Sequence, residues 1–388
     1  MHLTLLDISL SDLATTLKPL IGETMSRFLP ETILTAGFLL AIILDLLIRK
    51  SSQKKLTAYF ALVVLAAAFA TSWMQWRPYT PGSPTWEGGK MIFPYTTTLV
   101  PAIGMAVVDN FAVFFKLLIS LSAILVVLMS LLSREVAERG RRNGEYFSLM
   151  LALTLGMFLM PAATDLVMMY IALELVSITS YIMSGFMKEN ARSTEASMKY
   201  VLFGAFSSGL MIYGFSLLYG LTGSTSIIAI QAVLAEGMKA GTINQLALWV
   251  GVVLSLAGMG YKISAAPFHF WTPDVYEGAP IPITALLSVA SKAGGFGLLM
   301  RFLMFSFPVD FETGKLLLNW PLLIAILAAI TMTLGNFAAL RQSNIKRMLA
   351  YSTIAHAGYM MVGLVAIGSG VFMLNEIKAF GFAPAALP

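Results

Sequence analysis

Long apolar runs, separated by short charged or polar breaks, dominate the sequence. Because about 20 apolar residues cross a bilayer, this pattern predicts about ten membrane-spanning helices. Numbered in chain order, the predicted spans are 28–48, 56–74, 109–132, 146–163, 165–187, 196–220, 246–269, 280–306, 317–340 and 348–369. No run of Pro, Gly or Ser divides the chain, so the pattern predicts one all-α, polytopic transmembrane helix bundle.

The flanks of this bundle differ from it in pattern. Residues 1–27 are polar enough to be a surface or interfacial segment, residues 28–370 form the predicted transmembrane domain, and residues 371–388 form an atypical C-terminal tail. Lys and Arg concentrate in alternate loops, thirteen in one set and four in the other. The positive-inside rule places the richer set, which includes loops 49–55, 133–145 and 341–347, in the cytoplasm and the N-terminus outside.

Composition narrows the possible chemistry. The chain is 58% hydrophobic and 12% charged, with a mean hydropathy of +0.81, far from the roughly 25% charged residues of soluble domains. It contains no Cys and only three widely spaced His residues, which excludes disulfides and cysteine-ligated clusters and argues against a metal site. No basic run indicates nucleic acid. We therefore expect the chain to bind no cofactor and no metal.

The seventh predicted span contains features that interrupt a helix. Gly258 and Gly260 precede Pro267, which has no N–H and leaves the carbonyl of Ile263 unpaired. Lipid would not tolerate such a break, so we expect it inside protein or beside a hydrated cavity, as at the ion sites of transporters. An ordinary packing kink is the alternative.

A weak internal repeat accompanies the break. Residues 156–181 align without gaps on 335–360, and the two segments begin on opposite sides of the predicted membrane. An inverted repeat requires this arrangement. The alignment places Thr353 opposite Glu174, with His356 one turn further on.

Three charged residues near helix centres are the strongest candidates for function, since each costs roughly 2.5–3.5 kcal/mol to insert. Glu174 in the fifth span is followed on its face by the hydroxyls of Ser177, Tyr181 and Ser184. Lys262 in the seventh span needs a carboxylate partner or must lose its proton, and Glu174 is the natural partner. Lys292 lies at the centre of the eighth span. Structural hydrogen bonds, ion pairs or helix packing are the alternatives.

Other polar residues are weaker candidates. Lys199 and Glu195, at i and i+4, could equally extend their side chains to the interface. His269 and His356 could carry protons, although a lone His on a helix is more often structural. Topology alone explains the basic turn formed by Arg341, Lys346 and Arg347. Four further charged residues lie closer to span ends or have no evident partner, and they stay unassigned and are interpreted as mostly structural: Asp45, Asp109, Lys116 and Arg301.

Together, one acid and two or more lysines beside a broken helix form a row of titratable groups. Protons can move along such a row, because a charge added at one site makes the neighbouring lysine release its proton. No phosphate-binding loop or hydrolytic constellation competes with this interpretation.

Several strings are similar to those of a known family. ATDLVMMYIALELVSITSY, STEASMKYVLFGAFSSG, GYKISAAPFHFWTPDVYEGAP, SVASK and SNIKRMLAYSTIAHAGY resemble subunit N (subunit 2) of proton-pumping NADH–quinone oxidoreductases, or respiratory complex I. The resemblance implies an antiporter-like fold of two inverted five-helix repeats. It also implies that Glu174 and Lys262 form the acid–lysine pair and Lys292 the central relay. Matching positions mark the rest of the polar axis: Glu195, Lys199, His269, Lys346, Tyr351 and His356.

The same resemblance implies a setting. It implies a non-redox translocase subunit of a bacterial inner membrane, beside antiporter-like subunit M and the small subunits K, J and A, in a complex that uses NADH and quinone. A thylakoid or organellar membrane and ferredoxin as donor are alternatives. Because the family pattern stops near Gly370, we expect the second repeat to be incomplete. A free-standing cation/proton antiporter and a non-functional fragment remain open.

Overall fold

A computed structural model describes residues 24–48, 55–76, 104–137, 143–307 and 318–379, with residue 22 and the short strands Trp86–Glu87 and Lys90–Met91. Ten helices in this part of the chain are long and apolar enough to span a bilayer. They are Leu29–Leu47, Lys55–Gln75, Asn110–Leu132, Asn143–Ala162, Leu166–Ser184, Ala191–Thr222, Gln245–Ile263, Ile281–Ser306, Trp320–Leu340 and Ile345–Ala379, and they keep the ordinal numbers of the predicted spans. The ten spans and the all-α class are confirmed.

Some predictions concern residues outside the described ranges. These are the interfacial segment up to residue 21, the tail from residue 380, and loop residues 49–54 and 138–142. The tenth helix continues to Ala379, well past the predicted end at residue 369. Three shorter helices, Arg134–Ala137, Ile227–Ala240 and Trp271–Gly278, connect spans. The predicted orientation across the membrane stays a prediction.

Capping side chains explain where several spans begin. Asp109 accepts from the backbone N–H of Ala112 at 2.8 Å, and Asp165 accepts from that of Val167 at 2.8 Å. Asn190, Asn244 and Asn319 cap the sixth, seventh and ninth spans in the same way. Asp and Asn are favoured here because their oxygens pair with backbone donors that the first helical turn leaves free.

The sixth span organises the centre of the bundle. Its 32 residues extend about 48 Å at 1.5 Å per residue, well beyond a hydrocarbon core of about 30 Å. It packs along both the seventh span and the short helix Trp271–Gly278. Gly214 allows close approach, since a Cβ there would lie 2.4 Å from the backbone nitrogen of Ser255. One continuous helix therefore supports both pieces of a broken one.

The predicted interruption of the seventh span is confirmed. The helix ends at Ile263, and Ser264 adopts a left-handed conformation with φ 63°. Ala265 donates back to the Gly260 carbonyl at 2.8 Å, closing the helix end. The backbone N–H of Ala266 donates to the Thr331 hydroxyl of the ninth span at 3.0 Å. Protein groups thus satisfy the backbone at the break, as a membrane interior requires.

The eighth span contains an irregularity that the sequence analysis did not predict. Its α-helical part Ile281–Leu286 is followed by a π-helical turn, Leu287–Ser291, before α-helix resumes at Lys292–Ser306. Single π turns within α-helices occur frequently at functional sites. Here the turn ends immediately before Lys292.

Candidate functional site

Lys262 lies fully inside the bundle at the broken end of the seventh span. Its residue is 1% exposed, and its Nζ has no hydrogen-bond or ion-pair partner among the described residues. The side chain projects from the last turn of the helix, where the helix dipole favours positive charge. In the absence of a direct partner, this dipole and a nearby acid are the interactions that favour the positive charge of Lys262.

Glu174 supplies that acid from the fifth span. Its Oε1 and the Ser177 hydroxyl are both buried without a hydrogen-bond partner in the described structure. The charges of Glu174 and Lys262 are close enough to interact, yet the two groups form no direct ion pair. The expected pairing therefore takes the form of proximity without a direct hydrogen bond. A pair held at this separation can exchange a proton after a small side-chain movement or through intervening water.

Lys292 continues the row toward the tenth span. It is 2% exposed, and its Nζ donates to the Thr353 carbonyl at 2.7 Å. One turn further along the same helix, Gly295 packs against the seventh span, where a Cβ would lie 3.4 Å from Lys262 Cγ and 2.8 Å from Ile263 Cγ2. The absence of a side chain at Gly295 therefore keeps the helices that carry the two lysines close together.

Thr353 occupies the position that the repeat alignment places opposite Glu174. The charge of Glu174 acts on Lys262, and Thr353 contacts Lys292 through its carbonyl. On the predicted alignment, the two equivalent positions each interact with one lysine of the row, Glu174 through its side-chain charge and Thr353 through its main-chain carbonyl.

A network of ion pairs lies around the short helix Trp271–Gly278. Asp274 accepts from Lys199 at 2.8 Å and from Arg347 at 2.5 Å, and Lys199 also pairs with Glu195 at 2.7 Å. Glu277 accepts from Arg347 at 3.2 Å, and its carbonyl lies 3.4 Å from Lys346 Nζ. The sixth and tenth spans are therefore joined through this helix.

This network changes the interpretation of several residues. Lys199 is not simply extended to the interface, since Asp274 and Glu195 both hold its ammonium group. Arg347, which topology alone seemed to explain, bridges two carboxylates. Asp274 and Glu277 were not among the predicted site residues, although both lie in the string HFWTPDVYEGAP. Sequence alone does not reveal the pairing, because Asp274 and Arg347 are 73 residues apart.

Asp274 gives the network a pH dependence. Although burial alone would raise it, the hydrogen bonds from Lys199 and Arg347 hold the pKa of Asp274 below its usual value. A carboxyl group with a lowered folded-state pKa stabilises the fold above its unfolded pKa. That contribution is lost as the pH falls through the folded-state value.

We expect Asp274→Asn to lower the midpoint temperature of thermal unfolding by a few degrees at pH 7. The difference from the wild type should shrink as the pH falls through the lowered folded-state pKa of Asp274. Thermal unfolding of the detergent-solubilised chain across this pH range measures the effect. Arg192→Gln is the matched control, because Arg192 is mostly exposed and lies 3.6 Å from Glu277. A difference that is constant with pH would contradict the assignment.

The remaining predicted residues lie apart from both groups. His269 is buried in the segment after the break, and its Nδ1 has no hydrogen-bond partner in the described structure. Tyr351 is half-buried in the tenth span. His356 is exposed on that span, where Nδ1 lies 2.8 Å from the Ser352 carbonyl. It thus sits near Thr353 in sequence but faces outward from the bundle.

Two buried ion pairs were missed by the sequence analysis. Arg301 and Asp109 form a doubly hydrogen-bonded pair at 2.7 and 2.8 Å, and Lys116 pairs with Glu31 at 2.5 Å. The structure supplies the partners of Asp109, Lys116 and Arg301 that the sequence does not reveal. The partners lie far apart in the chain, 192 residues for Arg301 and Asp109, and no local spacing links them.

Comparison with known proteins gives the family. The model of the NADH:quinone oxidoreductase/Mrp antiporter transmembrane family matches residues 163–383, more than half of the chain. The chain belongs to this family. The matched part contains Glu174, Lys262 and Lys292, and it extends past the boundary predicted at Gly370.

Curated relatives confirm the resemblance to subunit N. NADH-quinone oxidoreductase subunit N 2 of Chloroherpeton thalassium is 44% identical over 88% of this chain and 62% of its own length. Subunit N 2 of Sorangium cellulosum is 40% identical over 90% of this chain and 66% of its own length. NAD(P)H-quinone oxidoreductase subunit 2 of Thermosynechococcus vestitus is 42% identical over 87% and 59%. The chain therefore spans about three fifths to two thirds of these relatives.

Solved structures share the fold. A chain of respiratory complex I from Thermus thermophilus matches with a TM-score of 0.66 and 30% identity, covering 87% of this chain and 64% of its own. A chain of an archaeal membrane-bound sulfane sulfur reductase matches at 0.65 and 26%, over 87% and 64%. The antiporter-like fold is thus confirmed.

Proposed function

We propose that the chain is a proton-translocating subunit in the membrane arm of an NADH–quinone oxidoreductase. Its own role is non-redox: it transfers protons along Glu174, Lys262 and Lys292 while electrons move elsewhere in the complex. The observation that carries this proposal is the pair of buried lysines, each beside a helix irregularity and joined through the close contact at Gly295. Curated relatives named subunit N favour this reading over a free-standing antiporter.

The first step of the proposed transfer takes place at the break. A proton entering from the side of the Asp274 network reaches Glu174 or Lys262, whose charges interact. When Glu174 is charged, it favours the protonated form of Lys262, and when Glu174 is neutral, Lys262 releases its proton more easily. The charge of Glu174 therefore determines whether Lys262 takes up or releases a proton.

The second step moves the proton between the lysines. Lys292 can accept a proton only as a neutral amine, and a charged Lys262 nearby favours that neutral state. Once protonated, Lys292 is held by the Thr353 carbonyl, which accepts a hydrogen bond from the ammonium group. The tenth span, which carries Tyr351 and His356, is then the next element along the path.

The setting of this transfer is also proposed. The chain would lie in a bacterial inner membrane, against antiporter-like subunit M and near the small subunits K, J and A. Lipid would cover the other exposed apolar faces. It would bind no cofactor of its own, with NADH and quinone used by other subunits. The cytoplasmic end would be the one that carries the Asp274 network, in agreement with the concentration of Lys and Arg in those loops.

We expect Lys292→Ala to lower the initial rate of proton uptake about tenfold, because a relay group is lost from the row. Helix geometry should be preserved, since Ala is well tolerated at a helix centre. The measurement is proton uptake into inverted membrane vesicles, recorded together with quinone reductase activity. Lys188→Ala is the control, because Lys188 is exposed in the loop before the sixth span. Uptake equal to that of the wild type would reject Lys292 as a relay.

A further inference from the structure

The eighth span carries a second buried cation beyond Lys292. Arg301 lies nine residues further along the helix, or about 14 Å, and is 1% exposed. Its two terminal nitrogens donate to the Asp109 carboxylate at 2.7 and 2.8 Å, and Nε donates to the Pro161 carbonyl at 3.0 Å. The third, fourth and eighth spans therefore meet at this guanidinium.

Aromatic rings cover both sides of the same group. The guanidinium carbon lies 4.7 Å from the ring centre of Phe111 and 4.8 Å from that of Phe305. Such contacts stabilise the cation and exclude water from its faces. Because Nε and both terminal nitrogens donate hydrogen bonds and a ring lies against each face, the Arg301 side chain is held in place.

The backbone segments around this pair are also hydrogen-bonded to one another. Val107 donates to the Ala162 carbonyl at 2.8 Å, and Thr164 donates to that of Met105 at 2.9 Å. Leu166 donates to the Thr225 carbonyl at 2.9 Å, and Ile227 donates to that of Thr164 at 3.1 Å. Three connecting segments are thus hydrogen-bonded across this end of the bundle.

The chemistry of Arg301 differs from that of the lysines in the row. A guanidinium group does not release its proton near neutral pH, so it cannot relay one. Asp109 balances the guanidinium charge, so the pair hinders protons mainly because its arginine cannot relay one and its flanking rings keep water from the guanidinium faces. Lys292 therefore has a hydrogen-bond acceptor, the Thr353 carbonyl, on one side and a group that cannot relay protons further along its own helix.

We propose that the Arg301–Asp109 pair is a proton barrier that closes the row at this end of the bundle. It prevents a proton on Lys292 from leaving along the eighth span and directs it sideways to the tenth span. Without the barrier, protons would cross the bundle directly and the transfer would be uncoupled. This inference rests on the proposed function, since it assumes that Lys292 carries a proton.

The test uses the purified full chain in vesicles of phosphatidylethanolamine and phosphatidylglycerol. The double variant Asp109→Asn, Arg301→Gln keeps hydrogen-bonding groups but removes both charges, and the shorter Gln leaves space between the rings of Phe111 and Phe305. Under an imposed pH gradient, we expect its passive proton flux to exceed that of the wild type by about tenfold, because water can enter the space that the guanidinium group filled. Unchanged flux would overturn the barrier and leave the pair as a structural contact.

A matched control separates the barrier from general loosening. Glu31 and Lys116 form the second buried ion pair, between the first and third spans near the same end of the bundle. Glu31→Gln with Lys116→Met should leave the proton flux at the wild-type level. An equal increase in this variant would show that disturbed packing causes the flux, and it would overturn the proposal.

Adding Lys292→Ala to the double variant tests the connection with the row. The flux should return close to the wild-type level, because the pathway that was opened depends on Lys292. Persistent flux would overturn the claim that Arg301 closes this row. The two proposals can fail separately. If Arg301 and Asp109 form no barrier, Lys292→Ala alone should still lower coupled proton uptake. If the chain does not transfer protons through Lys292, Lys292→Ala should have no effect on that uptake.

Discussion

Replacing Lys262 by Arg should reduce coupled proton uptake about a hundredfold, within the range for loss of a proton-transfer group. Arg keeps the positive charge at the end of the seventh span but cannot release its proton near neutral pH. The larger guanidinium must also fit beside Gly295, where Lys262 Cγ already lies close. Initial rates of proton uptake into inverted vesicles, with quinone reductase activity recorded in parallel, measure the effect.

Two controls make this result specific to Lys262. Lys188→Arg, in an exposed loop, should leave both rates unchanged. Lys262→Met, which removes the charge but fits the space, should be as poor as Lys262→Arg. If the Arg variant pumps like the wild type, Lys262 contributes only a fixed charge, and its assignment as a relay is wrong.

Replacing Glu174 by Gln should reduce uptake about thirtyfold. Loss of a nearby opposite charge changes the proton affinity of its neighbour by roughly one to three powers of ten. Without the carboxylate, Lys262 holds its proton less tightly, since its positive charge then depends mainly on the helix dipole. The same vesicle assay measures the change, repeated over a range of pH.

The conservative variant distinguishes charge from shape. Glu174→Asp keeps the carboxylate at a slightly greater distance and should retain more activity than Glu174→Gln. Because no direct ion pair joins Glu174 to Lys262, a shift of this size does not break a contact. Equal activity of the two variants would show that the charge of Glu174 is not required.

Much of the fold could be predicted from the sequence, because the bilayer imposes strong local rules. Each span must be long and apolar, and a Pro with neighbouring Gly residues interrupts a helix visibly, as at Pro267. The central members of the site were also visible, since an ionisable residue within an apolar run is costly wherever it occurs. Glu174, Lys262 and Lys292 needed no knowledge of the fold to be singled out.

What could not be predicted depends on contacts between distant helices. The Asp109–Arg301 and Asp274–Arg347 pairs form only after helices far apart in sequence pack together. The separation of Glu174 and Lys262 depends on the exact positions of their helices. When those positions are unknown, two opposite charges on different spans suggest a direct contact. The outward-facing position of His356 likewise depends on how the tenth span is rotated in the bundle.

Both lysines of the row lie beside points where the backbone leaves α-helical geometry. Lys262 comes two residues before the left-handed Ser264, and Lys292 comes directly after the π turn Leu287–Ser291. At such points, peptide dipoles no longer all point along one helix axis, and some become available to side chains. The backbone can then take over part of the solvation that water gives an ammonium ion. Irregular helix geometry thus allows an apolar bundle to hold a lysine that can be either charged or neutral.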